Sequence, residues 1–399
     1  MNFLVVISDQ MRYDALQCNG NPYVETPNLN RLAERSVKFT NAFTSAPICS
    51  PARHSLISGK YPHAHGVINN GVDPRLPLTD IAHMLNDVNY RSAQINAVPY
   101  KKNPDLGFET VLTPELETLV SEQDKEAIKW EHSDEIRRRS AGVSTRPKEL
   151  HKGYLTAEGA VEWLEKAAAG NSPFHFWVGF HEPHPPFFPP RENFERFDQS
   201  KFALPDVVPD DAPPPHPNFA KRQKEWKDMT AEQKRIMYAG YYGLVEMADE
   251  FVGKVLDALD RLGLADETMI VFTADHGEQL GDHHMYLKFV MREPSVHIPL
   301  MIAHPKLQPC WRHELVSHVD LFPTFCDYAG AAIPSGLHGY SLRPLLESGG
   351  ATVEWPRKDV ISQIKDNVMI RTADWKLNVY DGELGELYHI SEDQREHNN

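Results

Sequence analysis

Four short apolar runs, widely separated in the chain, constrain its fold more than any other feature. They are Phe3-Leu-Val-Val-Ile7, Phe174-His-Phe-Trp-Val-Gly-Phe180, Met269-Ile-Val-Phe-Thr273 and Ile298-Pro-Leu-Met-Ile302. Runs this short and this continuously apolar suit strands covered on both faces, as in a parallel sheet flanked by helices. Between the second and third, Leu244, Ala248, Phe251, Val255 and Leu259 recur at helical spacing, and Gly263 suits the helix end. The alternation of strand and helix predicts an α/β fold: a doubly wound, mostly parallel sheet with helices on both faces.

The pattern changes after about residue 346. Val360-Ile-Ser-Gln-Ile364, Val368-Met-Ile370 and Trp375-Lys-Leu-Asn-Val-Tyr380 predict a small antiparallel subdomain. The chain thus divides into a main domain, 1–345, and a C-terminal β subdomain, 346–399. Residues 112–152 read as an exposed helical insertion, and the proline-rich stretch 204–218 as a surface loop.

Composition excludes several functions. A net charge of −15 without a long basic run argues against nucleic acid or an anionic membrane as a partner. No apolar run is long enough to span a membrane. The run Phe3–Ile7 is too short for a signal peptide and has no charged region before it. Cys18, Cys49, Cys310 and Cys326 form no Cys-x-x-Cys pair and no disulfide framework. These features predict a soluble, cytoplasmic protein; oligomeric state is not legible.

In open α/β sheets, sites form at the carboxyl ends of the strands. Three runs end in polar residues: Asp9-Gln10, His181-Glu-Pro-His184-Pro-Pro186 and Asp275-His276-Gly277. Two carboxylates brought to one sheet edge repel unless they share a cation. Singly, each piece has an ordinary reading: an Asp after a strand caps a helix, and an isolated cysteine packs a core. A fourth segment, Cys49-Ser-Pro-Ala-Arg53, reads as a helix start, with Ser50 as cap, Pro51 in the first turn and Gly59 at the end. Cys49 then sits just ahead of a helix N-terminus, where an anion is favoured.

Cys49-Ser-Pro-Ala-Arg53 resembles the Cys-x-Pro-x-Arg motif of the sulfatase family, within the alkaline-phosphatase-like superfamily. The likeness runs in order along nearly the whole chain. It includes Val5 to Asp14, Thr26 to Ala33, Phe39 to Phe43, Gly59 to His63, His181 to Pro186, Thr273 to Gly281, Val319 to Thr324 and Leu337 to Leu342. It implies a sulfuric ester hydrolase. In that family the cysteine is oxidised by a maturation enzyme to formylglycine, whose hydrate is the nucleophile.

Residue by residue, the resemblance implies that Asp9, Asp275, His276 and the modified Cys49 bind one divalent cation. Gln10 stands where many members have a second Asp, and His276 where they have Asn. In both respects the chain is similar to choline sulfatases and phosphonate monoester hydrolases. Gln10 can still offer its carbonyl oxygen. Oxygen-rich ligation points to calcium, while the imidazole leaves manganese and magnesium open. Arg53 is expected to pair with the nucleophile's oxygens, Lys288 to contact the sulfate, and His184 to protonate the leaving alkoxide or hold its oxygen. His63 is a weaker pocket candidate.

One departure stands out. Where members carry Gly-Lys-x-His, this chain has Ile95-Asn-Ala-Val-Pro-Tyr-Lys-Lys102. Asn96, Tyr100, Lys101 and Lys102 are the candidates to take over sulfate binding; solvated loop charge is the plain alternative for the lysines. The main expectation is cleavage of a small sulfate ester. One alternative is a phosphonate monoester or phosphodiester hydrolase on the same site. The other is a non-catalytic anion-binding protein with an unmodified cysteine.

Overall fold

The computed structural model describes residues 1–75, 77–98, 106–111, 141–205 and 217–399. Its strands are β1 (Asn2–Ser8), β2 (Ser36–Phe39), β3 (Ala42–Phe43), β4 (Arg91–Ile95), β5 (Glu109–Thr110), β6 (Phe174–Phe180) and β7 (Thr268–Ala274). There follow β8 (Leu300–Ala303), β9 (Cys310–Arg312), β10 (Val316–Ser317), β11 (Val360–Ile364), β12 (Asn367–Arg371), β13 (Trp375–Tyr380) and β14 (Glu383–His389). Eight of them form one sheet in the order β5-β4-β6-β1-β7-β8-β2-β9. It is parallel except where β8 runs antiparallel to β7 and β2.

The four apolar runs become β6, β1, β7 and β8, side by side at the centre. Every residue of β1, β6 and β7 is buried. The period of two along β6 shows what covers each face. Phe174 and Phe176 turn to Trp163 on the helix Lys152–Ala168. His175 and Trp177 turn the other way, to Phe325 on the helix Leu321–Ala329. The sheet is therefore wound on both faces, as expected.

The long helix Ala231–Arg261 begins with a capping box in which Thr230 and Gln233 exchange bonds. It ends as its sequence predicts: Gly263 adopts φ 68°, and Gly263 N and Leu264 N bond back to the carbonyls of Asp260 and Leu259. Strand β8 starts two residues later than its apolar run, after Pro299, which has no N–H for the ladder.

β11 to β14 form a separate antiparallel sheet in sequence order. Of the expected insertion over 112–152, residues 112–140 lie outside the described residues; Ala141 bridges to Phe187, and the helix Lys152–Ala168 begins near the insertion's end. Residues 206–216 of the proline-rich stretch also lie outside. Among the described residues, no helix is long and apolar enough to cross a membrane. None of the four cysteines is in a disulfide.

Candidate active site

Strand order brings the acidic residues together. β1 and β7 are parallel neighbours with Ser8 opposite Ala274, so the next residues, Asp9 and Asp275, emerge side by side. β6 flanks β1 on the other side, and Asp9 N bonds to Phe180 O at 3.0 Å, which places His181 beside the same edge.

Cys49 arrives from the opposite direction. The chain before it is tied down by Thr44, whose hydroxyl donates to the Asp275 carbonyl at 2.6 Å. The helix Cys49–Ser58 starts at Cys49 itself, and its N-cap, Ile48, offers no side-chain bond. The expectation that Ser50 caps this helix is corrected: Ser50 lies in the first turn, and its N–H is accepted by Asn70 Oδ1 at 2.9 Å. Asn70, some twenty residues on in a loop, carries no local signal of that role.

One ligand atom each from Asp9, Cys49, Asp275 and His276 lies within 4.8 Å of the others. Cys49 Sγ is 3.2 Å from His276 Nε2 and 3.5 Å from Asp9 Oδ1. His276 Nε2 is 3.6 Å from Asp275 Oδ1 and 3.7 Å from Asp9 Oδ1.

This donor set fits a divalent cation. His276 Nδ1 lies 3.0 Å from the Gly277 carbonyl, which can only accept. That fixes the proton on Nδ1 and turns the Nε2 lone pair to the cluster. Burial, the largest influence, pushes the imidazole below its ordinary pKa, so it is neutral and ready to ligate. Burial pushes Asp9 up, but Arg53 and then Lys288 outweigh it and hold the carboxyl below its usual range.

Arg53 lies against both carboxylates of the cluster. Its Nε donates to Asp275 Oδ2 at 2.8 Å and its Nη2 to Asp9 Oδ2 at 2.9 Å. Nη1 donates to the carbonyls of Asn96 and Ala97 at 2.9 and 3.2 Å. The guanidinium thus takes the outer oxygen of each carboxylate and leaves Oδ1 of each beside His276. The thiol of Cys49 is pushed up by burial and by Asp9. It is a protonated, weak nucleophile in this form.

Lys288 is buried, and its ammonium donates to Gln10 Oε1. Gln10 therefore turns its carbonyl to Lys288, where the sequence suggested a metal. His184 Nδ1 lies 2.7 Å from the Pro185 carbonyl. Burial, then Lys288 and His181, lowers its pKa well below the ordinary value. The ring is neutral with its proton on Nδ1, so Nε2 accepts; in this state His184 holds an oxygen-bound proton rather than giving one.

His63 is exposed and joins a cluster of three mutually stacked rings with Tyr61 and His338, with centroids 6.2 and 5.4 Å away. None of its described contacts is to the four clustered residues. Asn96 donates its side-chain amide to Thr156 Oγ1 at 2.9 Å, and its backbone carbonyl accepts from Arg53. Tyr100, Lys101 and Lys102 lie outside the described residues.

The sulfatase family model matches residues 1–331. Residues 281–399 match the model described as N-sulphoglucosamine sulphohydrolase, C-terminal. Choline-sulfatase of Rhizobium meliloti (strain 1021) is 28% identical over 364 residues, covering 86% of this chain and 71% of that protein. Arylsulfatase K of Bos taurus is 28% identical over 430 residues, covering 99% and 77%. Among solved structures, phosphonate monoester hydrolase of Agrobacterium radiobacter superposes with a TM-score of 0.81 at 25% identity, covering 100% of this chain and 91% of that one. The phosphonate monoester hydrolase of Silicibacter pomeroyi gives 0.82 at 25%, covering 100% and 90%.

Proposed function

The chain belongs to the sulfatase family, and we propose that it hydrolyses a small sulfate ester through a formylglycine made from Cys49 by a maturation enzyme. The observation that carries this reading is the convergence of Asp9, Cys49, Asp275 and His276, with the position of the nucleophile inside the cation cluster. A bound divalent cation would neutralise charge on the sulfate oxygens and make a hydroxyl of the hydrated aldehyde acidic. Calcium is expected from the carboxylates, with manganese as the competitor that the imidazole admits.

The protein's own groups divide the remaining work. Arg53 holds the two carboxylates by one oxygen each, and Lys288 offers a fixed ammonium to the oxygens that gain charge. His184 Nε2 accepts from a proton-bearing oxygen, a hydroxyl of the hydrated aldehyde or of the substrate, and Lys288 is the group with a proton to give to the leaving alkoxide. The unpaired cysteines support a cytoplasmic location. The intact mass of the Cys49 peptide, from a host that makes the maturation enzyme, should show aldehyde in place of thiol, with turnover of an aryl sulfate. A persistent thiol and no turnover sinks the reading.

A second reading has its own observation. Gln10 and His276, together with the two phosphonate monoester hydrolase structures, fit a phosphorus monoester on the same site. Matched rates on an aryl sulfate and an aryl phosphonate decide between them: a faster phosphonate makes the second reading the primary one.

A further inference from the structure

Glu278 lies two residues beyond His276, fully buried, and the roles assigned so far leave it unused. Its carboxylate accepts from three donors. Oε1 accepts from Leu280 N at 3.0 Å and from Leu287 N, and Oε2 accepts from Gln10 Nε2. All three donor residues have positive φ: Gln10 at 70°, Leu280 at 44° and Leu287 at 66°. A residue with a β-carbon is strained in that region. One side chain therefore satisfies the polar groups of three strained positions.

The direction of these bonds matters more than their number. A carboxylate accepts and does not donate. Together with the Lys288 ammonium, which can only donate, it fixes the Gln10 amide with its NH2 toward Glu278 and its oxygen toward Lys288. Leu287, whose N–H the same carboxylate holds, is the residue immediately before Lys288. Gln10 itself is held by Tyr241, whose hydroxyl donates to the Gln10 carbonyl at 3.0 Å and accepts from Arg12 N at 3.0 Å. The amide cannot yield by moving its backbone.

We propose that Glu278 is the positioning residue of this site: it orients the Gln10 amide and anchors Leu287, and so holds the Lys288 ammonium where the sulfate oxygens bind. It acts through two neighbours and touches no substrate. The assignment rests on the sulfatase reading for what Lys288 contacts, but the buried relay stands on its own geometry.

The experiment compares wild type, Glu278→Gln and the exchange Glu278→Gln with Gln10→Glu, each metal-loaded, with inorganic sulfate as the calorimetric probe and an aryl sulfate for kcat. E278Q sets an amide against an amide, and should weaken sulfate binding and lower kcat by about 10- to 100-fold each. The exchange restores the order of donor and acceptor and should recover most of both. Unchanged sulfate affinity in E278Q overturns the assignment, as does an exchange that recovers the melting temperature but neither readout. If E278Q does not fold, the exchange alone decides, by its sulfate affinity; if neither folds, Glu278 serves stability and the assignment falls. Wild type that binds sulfate and leaves aryl sulfates intact sinks the catalytic reading without touching this one.

Discussion

Two of the buried clusters of charge among the described residues are built differently. At the carboxyl edge of the large sheet, two carboxylates and an imidazole turn ligand atoms toward one point, with Arg53 only on their outer side. Under the small sheet, Glu293, Glu386 and Glu396 meet Arg292, Arg371 and Lys376. Lys376 Nζ lies 3.0 Å from Glu293 Oε1, Arg371 Nε lies 3.2 Å from the same oxygen, and Arg292 pairs with Glu386. Lys376 is also 2.8 Å from Glu396 Oε1, an ion pair rather than an aligned hydrogen bond. Three anions face three cations there. The first cluster converges on a point it does not fill from within; the second closes on itself. Burial of charge alone does not mark a site; the balance of the charges and the aim of their free electron pairs do.

The largest expected effect breaks the first cluster. Asp275→Ala removes a ligand atom and the Arg53 bridge, and should cost turnover more than about a hundredfold, above what an indirect partner costs. Calorimetric titration of the metal-free variant with manganese or calcium should show no binding; full activity would reject the metal assignment. The second cluster should respond in stability alone. Lys376→Ala takes the ammonium from Glu396 and leaves Glu293 with Arg371 alone, and should destabilise by about 3–5 kcal/mol. Chemical denaturation reads this, and kcat of the folded fraction should stay at the wild-type value.

A smaller effect separates both clusters from ordinary buried polarity. His175, between the faces of the large sheet, accepts from Trp177 Nε1 at 2.5 Å. Burial lowers its pKa from 6.5 to about 3. The folded-state value is the depressed one, so protonation favours the unfolded chain. Its contribution is complete above pH 6.5 and declines as pH falls toward 3, reaching a loss of about 2 kcal/mol by pH 5. Denaturation at pH 7 and 5 should show that His175→Gln flattens the decline; an unaltered slope would refute it. The smallest effect is at the outer face of the small sheet. Trp375, half exposed, stacks on His389, and Trp375→Ser should change stability by no more than about 0.5 kcal/mol.

The same contrast sorts what was legible in the sequence. The central strands were, because both faces are buried and only apolar residues serve. Asp9, Asp275 and His276 were, because they directly follow those strands. β11, β12 and β13 were legible as strands, but neither β14 nor the face the sheet buries was. Alternation alone leaves that open, and here Arg371, Lys376 and Glu386 face inward while Ile370 and Leu387 face out. The indirect partners were not legible at all. Asn70 and Glu278 act over distances in sequence or through the direction of a bond, and neither leaves a periodic trace. Arg53 was found, but its partners were not, since an arginine in a motif does not say which oxygens it reaches.

Arg53 also grips the carbonyls of Asn96 and Ala97. The same guanidinium steadies Asp9 and Asp275, so the backbone at Asn96 and Ala97 and the carboxylates of the candidate cation cluster share one hinge pin. A relative's loop grafted after Ala97 would carry its selectivity only if it kept those two carbonyls in register; otherwise the exchange would first show as an enzyme that loses its ion.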